Sequence, residues 1–260
     1  MYKNRQAVVS IAIGLVAGAL SGLFGVGGGI LIVPALVMFM KMDQKRAHGT
    51  SLAAILPIAA SGVVGYATGH SIDWKVALAL TIGAAGFGAI IGTHLLHRWS
   101  QRTIALSFIA ILALTSMRLA MGSEASSGAG QITIGVAIGL VVVGVISGIL
   151  SGLLGVGGGI VMVPAMVVLF SIPAAVAKGT SLVVVIPTAL IGTWRNVKKE
   201  NADLPLAMVI GIAGVASSFL ASKVSLGLDE QTSNRLFALL LMVVAVKMGI
   251  GEARKQQNLH

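Results

Sequence analysis

Long apolar runs separated by short polar connections dominate this chain. In its first half they fall at approximately 7–24, 30–42, 50–68, 75–96 and 103–121, and in its second at 133–154, 160–172, 180–195, 205–223 and 233–250. Most hold the roughly 18–22 residues that carry a helix across a ~30 Å hydrocarbon core. The second run of each half is shorter: 13 residues, at about 1.5 Å rise each, make a helix of about 20 Å, which penetrates rather than spans. Between the halves lies Gly122-Ser123-Glu124-Ala125-Ser126-Ser127-Gly128-Ala129-Gly130, small, polar and flexible. The pattern predicts an all-α integral membrane protein, a polytopic helical bundle of eight to ten membrane segments. It divides into a first membrane repeat over 1–121, a flexible link over 122–131 and a second membrane repeat over 132–260, with no separate soluble domain.

The halves repeat one another. Residues 21–35, SGLFGVGGGILIVPA, and residues 151–165, SGLLGVGGGIVMVPA, agree at 12 of 15 positions with an offset of 130. The offset holds without a gap from Gly14, Gly18 and Gly22 (Gly144, Gly148 and Gly152) to Gly49-Thr50-Ser51-Leu52 (Gly179-Thr180-Ser181-Leu182), Pro57 (Pro187), Gly62 (Gly192) and Asp73 (Asp203). Two copies of one apolar unit, each broken by a glycine cluster, are a recurring mark of transporters that place their site at the repeat interface. The opening Met1–Gln6 and the apolar run behind it have the outline of a signal peptide. Because Gly14–Gly22 recurs inside the chain as Gly144–Gly152, the run is read instead as the first transmembrane segment, with nothing removed.

Composition sharpens the class. The chain is 56% hydrophobic and 10% charged, with a mean hydropathy of +0.97, against about 25% charge in a soluble domain. It has no cysteine, hence no disulfide, thiolate metal site or redox pair. A net charge of +10 on a soluble chain would point to nucleic acid. Here the basic residues sit in connections and read as topology signals, so nucleic acid is not an expected partner. If each glycine cluster is a hairpin tip, 13 Lys and Arg fall on the inner side and 5 on the outer. If each is a break in one crossing helix, the division is 10 and 8. The positive-inside bias favours the hairpin. The hairpin leaves an odd number of crossings per half, so the second copy is inverted relative to the first, and both termini are cytoplasmic.

The chemistry gathers at the duplicated motifs. Gly25-Val26-Gly27-Gly28-Gly29 and Gly155-Val156-Gly157-Gly158-Gly159 each precede an apolar helix with a proline in its first turns, Pro34 and Pro164. A helix start carries unpaired N–H groups and the positive end of the dipole, a ready anion site. In hydrocarbon such donors must line a cavity or be buried in protein. Inverted copies would aim two such ends at one midplane, with Gly27, Gly28 and Gly29 facing Gly157, Gly158 and Gly159. The competing reading is that the glycines only allow a tight hairpin and close packing. Neither cluster completes G-x-G-x-x-G and no Gly-Lys-Ser/Thr follows, which argues against a nucleotide loop. Thr50, Ser51, Thr180 and Ser181 open the third segments, as N-caps or, where a hydroxyl is spare, as anion ligands. His48 and Lys178 stand just before them, placed to attract anions at the two mouths, and Pro57 and Pro187 should kink the same helices.

All eight acidic residues, Asp43, Asp73, Glu124, Glu200, Asp203, Asp229, Glu230 and Glu252, fall in connections or ends. Asp73 and Asp203 have the placement of N-caps of the fourth segments. With no carboxylate in an apolar segment, a proton-coupling group, a cation site and a metal site are all poorly supplied, and no cofactor is expected. An intramembrane enzyme would need a nucleophile with a base, for which only His94 is placed. A passive scaffold would have little use for two helix breaks.

The paired GVGGGIxxVP blocks, each followed after about a dozen residues by A-x-G-T-S-L, resemble the sulfite exporter (TauE/SafE) family over essentially the whole chain. The resemblance implies a multi-pass permease of about eight helices in the bacterial cytoplasmic (inner) membrane. It implies small sulfur-containing anions such as sulfite, sulfoacetate or other organosulfonates as substrates, and no enzymatic activity. The positions that match the family are Gly27, Gly28, Gly29, Pro34, Gly157, Gly158, Gly159 and Pro164, with Gly49-Thr50-Ser51 and Gly179-Thr180-Ser181. The expected partners are a small anionic substrate and the lipid bilayer. A permease for another small anion or metabolite is the alternative.

Overall fold

A computed structural model describes residues 2–88, 116–117, 133–155 and 157–257. Among them there are helices and no strands. The first half gives α1 (Tyr2–Phe24), α2 (Gly29–Met40), α3 (Gln44–Ala67) and α4 (Trp74–Thr81), which runs on as a π-helical stretch, Ile82–Gly88. The second gives α5 (Ile134–Leu154), α6 (Gly159–Phe170), α7 (Ala174–Lys198), α8 (Leu204–Gly227) and α9 (Glu230–Gln257). Five are long and apolar enough to cross a membrane: Gln6–Phe24, Gln44–Ala67, Ile134–Gly152, Ala174–Lys198 and Leu204–Gly227. The short second segments are present as α2 and α6, 12 residues each. The end of the expected fourth segment of the first half beyond Gly88, the fifth apart from 116–117, the link 122–131 and His94 lie outside the described residues.

One expectation is corrected. The third segments do not open at the Gly-Thr-Ser-Leu motifs but six residues earlier, at Gln44 and Ala174. The N-caps are Asp43, whose side chain accepts from the Lys45 amide at 3.0 Å, and Pro173. Thr50, Ser51, Thr180 and Ser181 therefore lie inside α3 and α7 and cap neither. Pro57 and Pro187 accordingly fall near the midpoints of those helices. Apolarity sets in only at the motif, whereas a cap can start a helix within a charged stretch such as Gln44-Lys45-Arg46. Asp73 and Asp203 do cap the fourth helices, accepting from the Lys75 and Val76 amides and from the Leu206 amide.

Small residues bring the helices together. A Cβ on Gly14, Gly18 or Gly22 of α1 would strike the carbonyl oxygens of Ile210, Gly214 and Ser218 on α8. On α5, Gly144 and Gly148 meet the Leu80 and Ala84 carbonyls of the fourth helix in the same way. The Gly14 and Gly18 contacts recur at Gly144 and Gly148 shifted by 130, whereas Gly152, the counterpart of Gly22, meets nothing among the described residues; the first helix of either repeat thus packs on the fourth helix of the other. This reciprocity is consistent with a two-fold relation between the halves, and the stripe of small residues is how helices approach closely in lipid. Two apolar clusters fill the interior. One is centred on α1, α2 and α3 with Leu182, Val185 and Ile210, the other on α4, α5 and α6 with Phe24, Phe237 and Leu241. Large aliphatic and aromatic side chains also cover the outside, Phe39 at 69% and Ile134 at 79% exposure among them. Such a surface suits hydrocarbon rather than water.

Candidate functional site

Each repeat supplies one glycine break, and the two share one backbone geometry. Gly25, Gly27 and Gly28 have φ of 70°, 80° and 77°, and Gly155, Gly157 and Gly158 have 65°, 84° and 80°. Gly28 and Gly158 are the N-caps of α2 and α6, and no side chain caps either start. The Leu31 and Ile32 amides donate to the Gly28 carbonyl at 3.1 and 3.3 Å, and the Val161 and Met162 amides to that of Gly158 at the same distances. The amides just ahead of them belong to the first turn, which has no intrahelical partner and carries the positive end of the dipole.

Glycine is required at the cap for two reasons. The left-handed conformation costs any other residue roughly 1–2 kcal/mol. A Cβ would also lie 2.6 Å from the Ala17 carbonyl oxygen at Gly28, and 3.0 Å from that of Ser147 at Gly158. Each break is thus folded back onto its own first helix. The breaks also meet each other: a Cβ on Gly159 would lie 2.6 Å from the Gly25 carbonyl oxygen and 2.9 Å from Val26 Cα.

The Gly-Thr-Ser-Leu motifs lock each break from the opposite repeat. Ser51 Oγ donates to the Gly155 carbonyl at 2.9 Å, and Ser181 Oγ to the Gly25 carbonyl at 2.5 Å. Their threonines reach the start of the opposite fourth helix: the Asp203 amide donates to Thr50 Oγ1 at 2.9 Å and the Asp73 amide to Thr180 Oγ1 at 3.0 Å. The hydroxyls expected to be spare are therefore engaged with backbone. Gly27, Gly28, Gly29, Gly157, Gly158, Gly159, Ser51 and Ser181 are brought together at the crossing of the repeats. Thr50 and Thr180 hold its flanks. Pro34, half-buried, and Pro164, buried, lie further along α2 and α6.

The two residues expected at the mouths differ. His48 is half-buried on α3, its backbone against Gly155. Lys178 is 1% exposed. Its backbone lies against Gly25, where a Cβ would come within 2.6 Å of it. Its Nζ donates to Ser233 Oγ at 2.5 Å and Ser225 Oγ at 3.3 Å and stands 5.8 Å from the centre of the Phe24 ring. Asp43, Glu200 and Asp229 are exposed and Asp73 and Asp203 half-buried, and the Arg46–Asp203 ion pair, at 3.0 Å, lies at the surface. Sequence reasoning placed Lys178 in a connection because it set the start of the helix too late. With the start at Ala174, Lys178 shares a turn with buried Ala174 and Ala177 and precedes buried Ser181 and Leu182, a signal the sequence did contain.

A family model described as sulfite exporter TauE/SafE matches residues 1–119 and 140–259. The chain is 27% identical to the "Probable membrane transporter protein YunE" of Bacillus subtilis, over 93% of this chain and 95% of that one. It is 25% identical to a "Probable membrane transporter protein" of Xylella fastidiosa, over 93% and 94%. It is also 25% identical to a relative of the same description from Methanocaldococcus jannaschii, over 92% of each chain. No solved structure matches. The chain belongs to the sulfite exporter TauE/SafE family, as the doubled motif implied, and its relatives are named as membrane transporters.

Proposed function

We propose that this TauE/SafE family member moves small sulfur-containing anions, sulfite or organosulfonates, across the bacterial cytoplasmic membrane by alternating access at the interface of its two repeats. The observation that carries the reading is the pair of buried glycine breaks, each opening a helix with no side-chain cap and each bound by a serine of the other repeat. Helix starts pointed at one region supply N–H donors and positive potential without a fixed charge. In this reading the backbone at Gly27–Gly29 and Gly157–Gly159 meets the anion. Ser51, Ser181, Thr50 and Thr180 hold those backbones in place and exchange partners as the repeats rock, and Pro34 and Pro164 shape the helices behind them. Outward movement is favoured, because an inside-negative potential drives an anion out with ~2.3 kcal/mol per charge per 100 mV. That supply needs no proton, in keeping with acidic residues that fall in connections and ends of the chain's apolar segments.

The test is uptake of labelled sulfite into proteoliposomes, with unlabelled methanesulfonate, taurine and chloride as competitors. Saturable uptake, suppressed by methanesulfonate and not by chloride, is expected. Uptake that chloride suppresses equally well would replace the cargo with small anions in general.

A further inference from the structure

The Lys178 ammonium has no role in the backbone site just described, and its surroundings are unusual. It is buried on a membrane-spanning helix, held by the Ser225 and Ser233 hydroxyls and the Phe24 ring, and it forms no ion pair among the described residues. A buried ammonium is costly unless an opposite charge accompanies it, and hydroxyls satisfy its hydrogens without neutralising it. Packing alone gives no reason for a charge here, since the equivalent position of the first repeat, with the same backbone contact to a glycine break, holds a half-buried histidine. The lysine is also tied to the site. Ser181 Oγ donates to the Gly25 carbonyl of the break and to the Lys178 carbonyl at 2.9 Å, so one hydroxyl fixes both backbones. Ser225 Oγ in turn donates to the Leu23 carbonyl just ahead of that break at 3.0 Å.

We propose that Lys178 is the counter-charge of the transported anion, and that this single buried charge restricts the cargo to monoanions. The proposal rests on the anion-transport reading above. An anion with one charge would take the place of the Ser233 and Ser225 hydroxyls on the ammonium and leave the occluded complex neutral. A dianion would leave one uncompensated charge in a medium that penalises it. The class favoured is thus hydrogen sulfite or a monosulfonate, and sulfate is excluded by charge rather than by size.

Labelled methanesulfonate uptake into proteoliposomes tests this with wild-type protein, Lys178→Met, Lys178→Gln and Lys178→Arg, with unlabelled sulfate as competitor. Wild-type uptake should be indifferent to excess sulfate. Both neutral variants should lose roughly 10²-fold or more, the usual order when one partner of a buried charge pair is removed. They should unfold no earlier than wild type, because they delete an unpaired charge, and the arginine variant should keep a measurable part of the flux. A neutral variant that transports like wild type, or sulfate that competes as well as unlabelled methanesulfonate, overturns the proposal. The sulfate comparison needs no variant and decides the matter even if the neutral variants fail to fold. Wild-type vesicles that move neither sulfite nor methanesulfonate contradict the transport reading itself and remove this inference with it. Normal wild-type flux equalled by Lys178→Met contradicts the role of the lysine alone.

Discussion

At the scale of single residues, the two cap glycines and the two crossing serines carry the site. Gly28→Ala should cost roughly 1–2 kcal/mol for the left-handed backbone, and about 1–3 kcal/mol more for the collision with the Ala17 carbonyl. Gly158→Ala should cost a similar amount, and thermal unfolding in detergent reads both. Unchanged midpoints would mean that the breaks are looser than their contacts indicate. Ser51→Ala and Ser181→Ala each remove one buried hydrogen bond and leave a backbone carbonyl unserved, about 1–3 kcal/mol apiece. Their effects should depart from additivity in the double variant, because the two breaks they hold pack against each other. The glycine cluster was legible in the sequence as a break; that its carbonyls are held by the opposite copy was not, since no local pattern encodes a partner 104 or 156 residues away.

At the scale of elements, apolar runs placed the helices and misjudged some of their ends. α2 and α6 fall within two residues of the expected spans because glycine at one end and a polar connection at the other punctuate them. α3 and α7 begin before their apolar stretch, because a cap decides where a helix starts and hydropathy decides only where it is buried. That difference hid Lys178 in an apparent connection. Asp73→Ala, which takes away the acceptor for the Lys75 and Val76 amides, should lower stability by about 1 kcal/mol. Gly18→Ala on α1 and Gly148→Ala on α5 press a methyl group against the carbonyls of Gly214 and Ala84. Each should destabilise by about 1–3 kcal/mol, read from the same unfolding curves. A harmless Gly18→Ala would show that the α1–α8 contact does not depend on close backbone approach.

At the scale of the molecule, the offset of 130 that relates the sequences also relates the contacts. First helix on opposite fourth helix, serine on opposite break and threonine on opposite cap each occur in both directions. A chain without cysteine lends itself to mapping sidedness with single introduced thiols. Asn4→Cys and Gln256→Cys should be labelled by an impermeant reagent from one side of the membrane and Ser126→Cys from the other, as an odd number of crossings per repeat requires. A link labelled from the same side as the termini would contradict inversion. The central claim, that the paired breaks carry an anion, is tested most directly by labelled sulfite flux in proteoliposomes under an imposed potential with no pH gradient. The account predicts saturable flux that follows the sign and size of the potential. Flux no greater than that of empty vesicles, from protein shown to be folded, would contradict it.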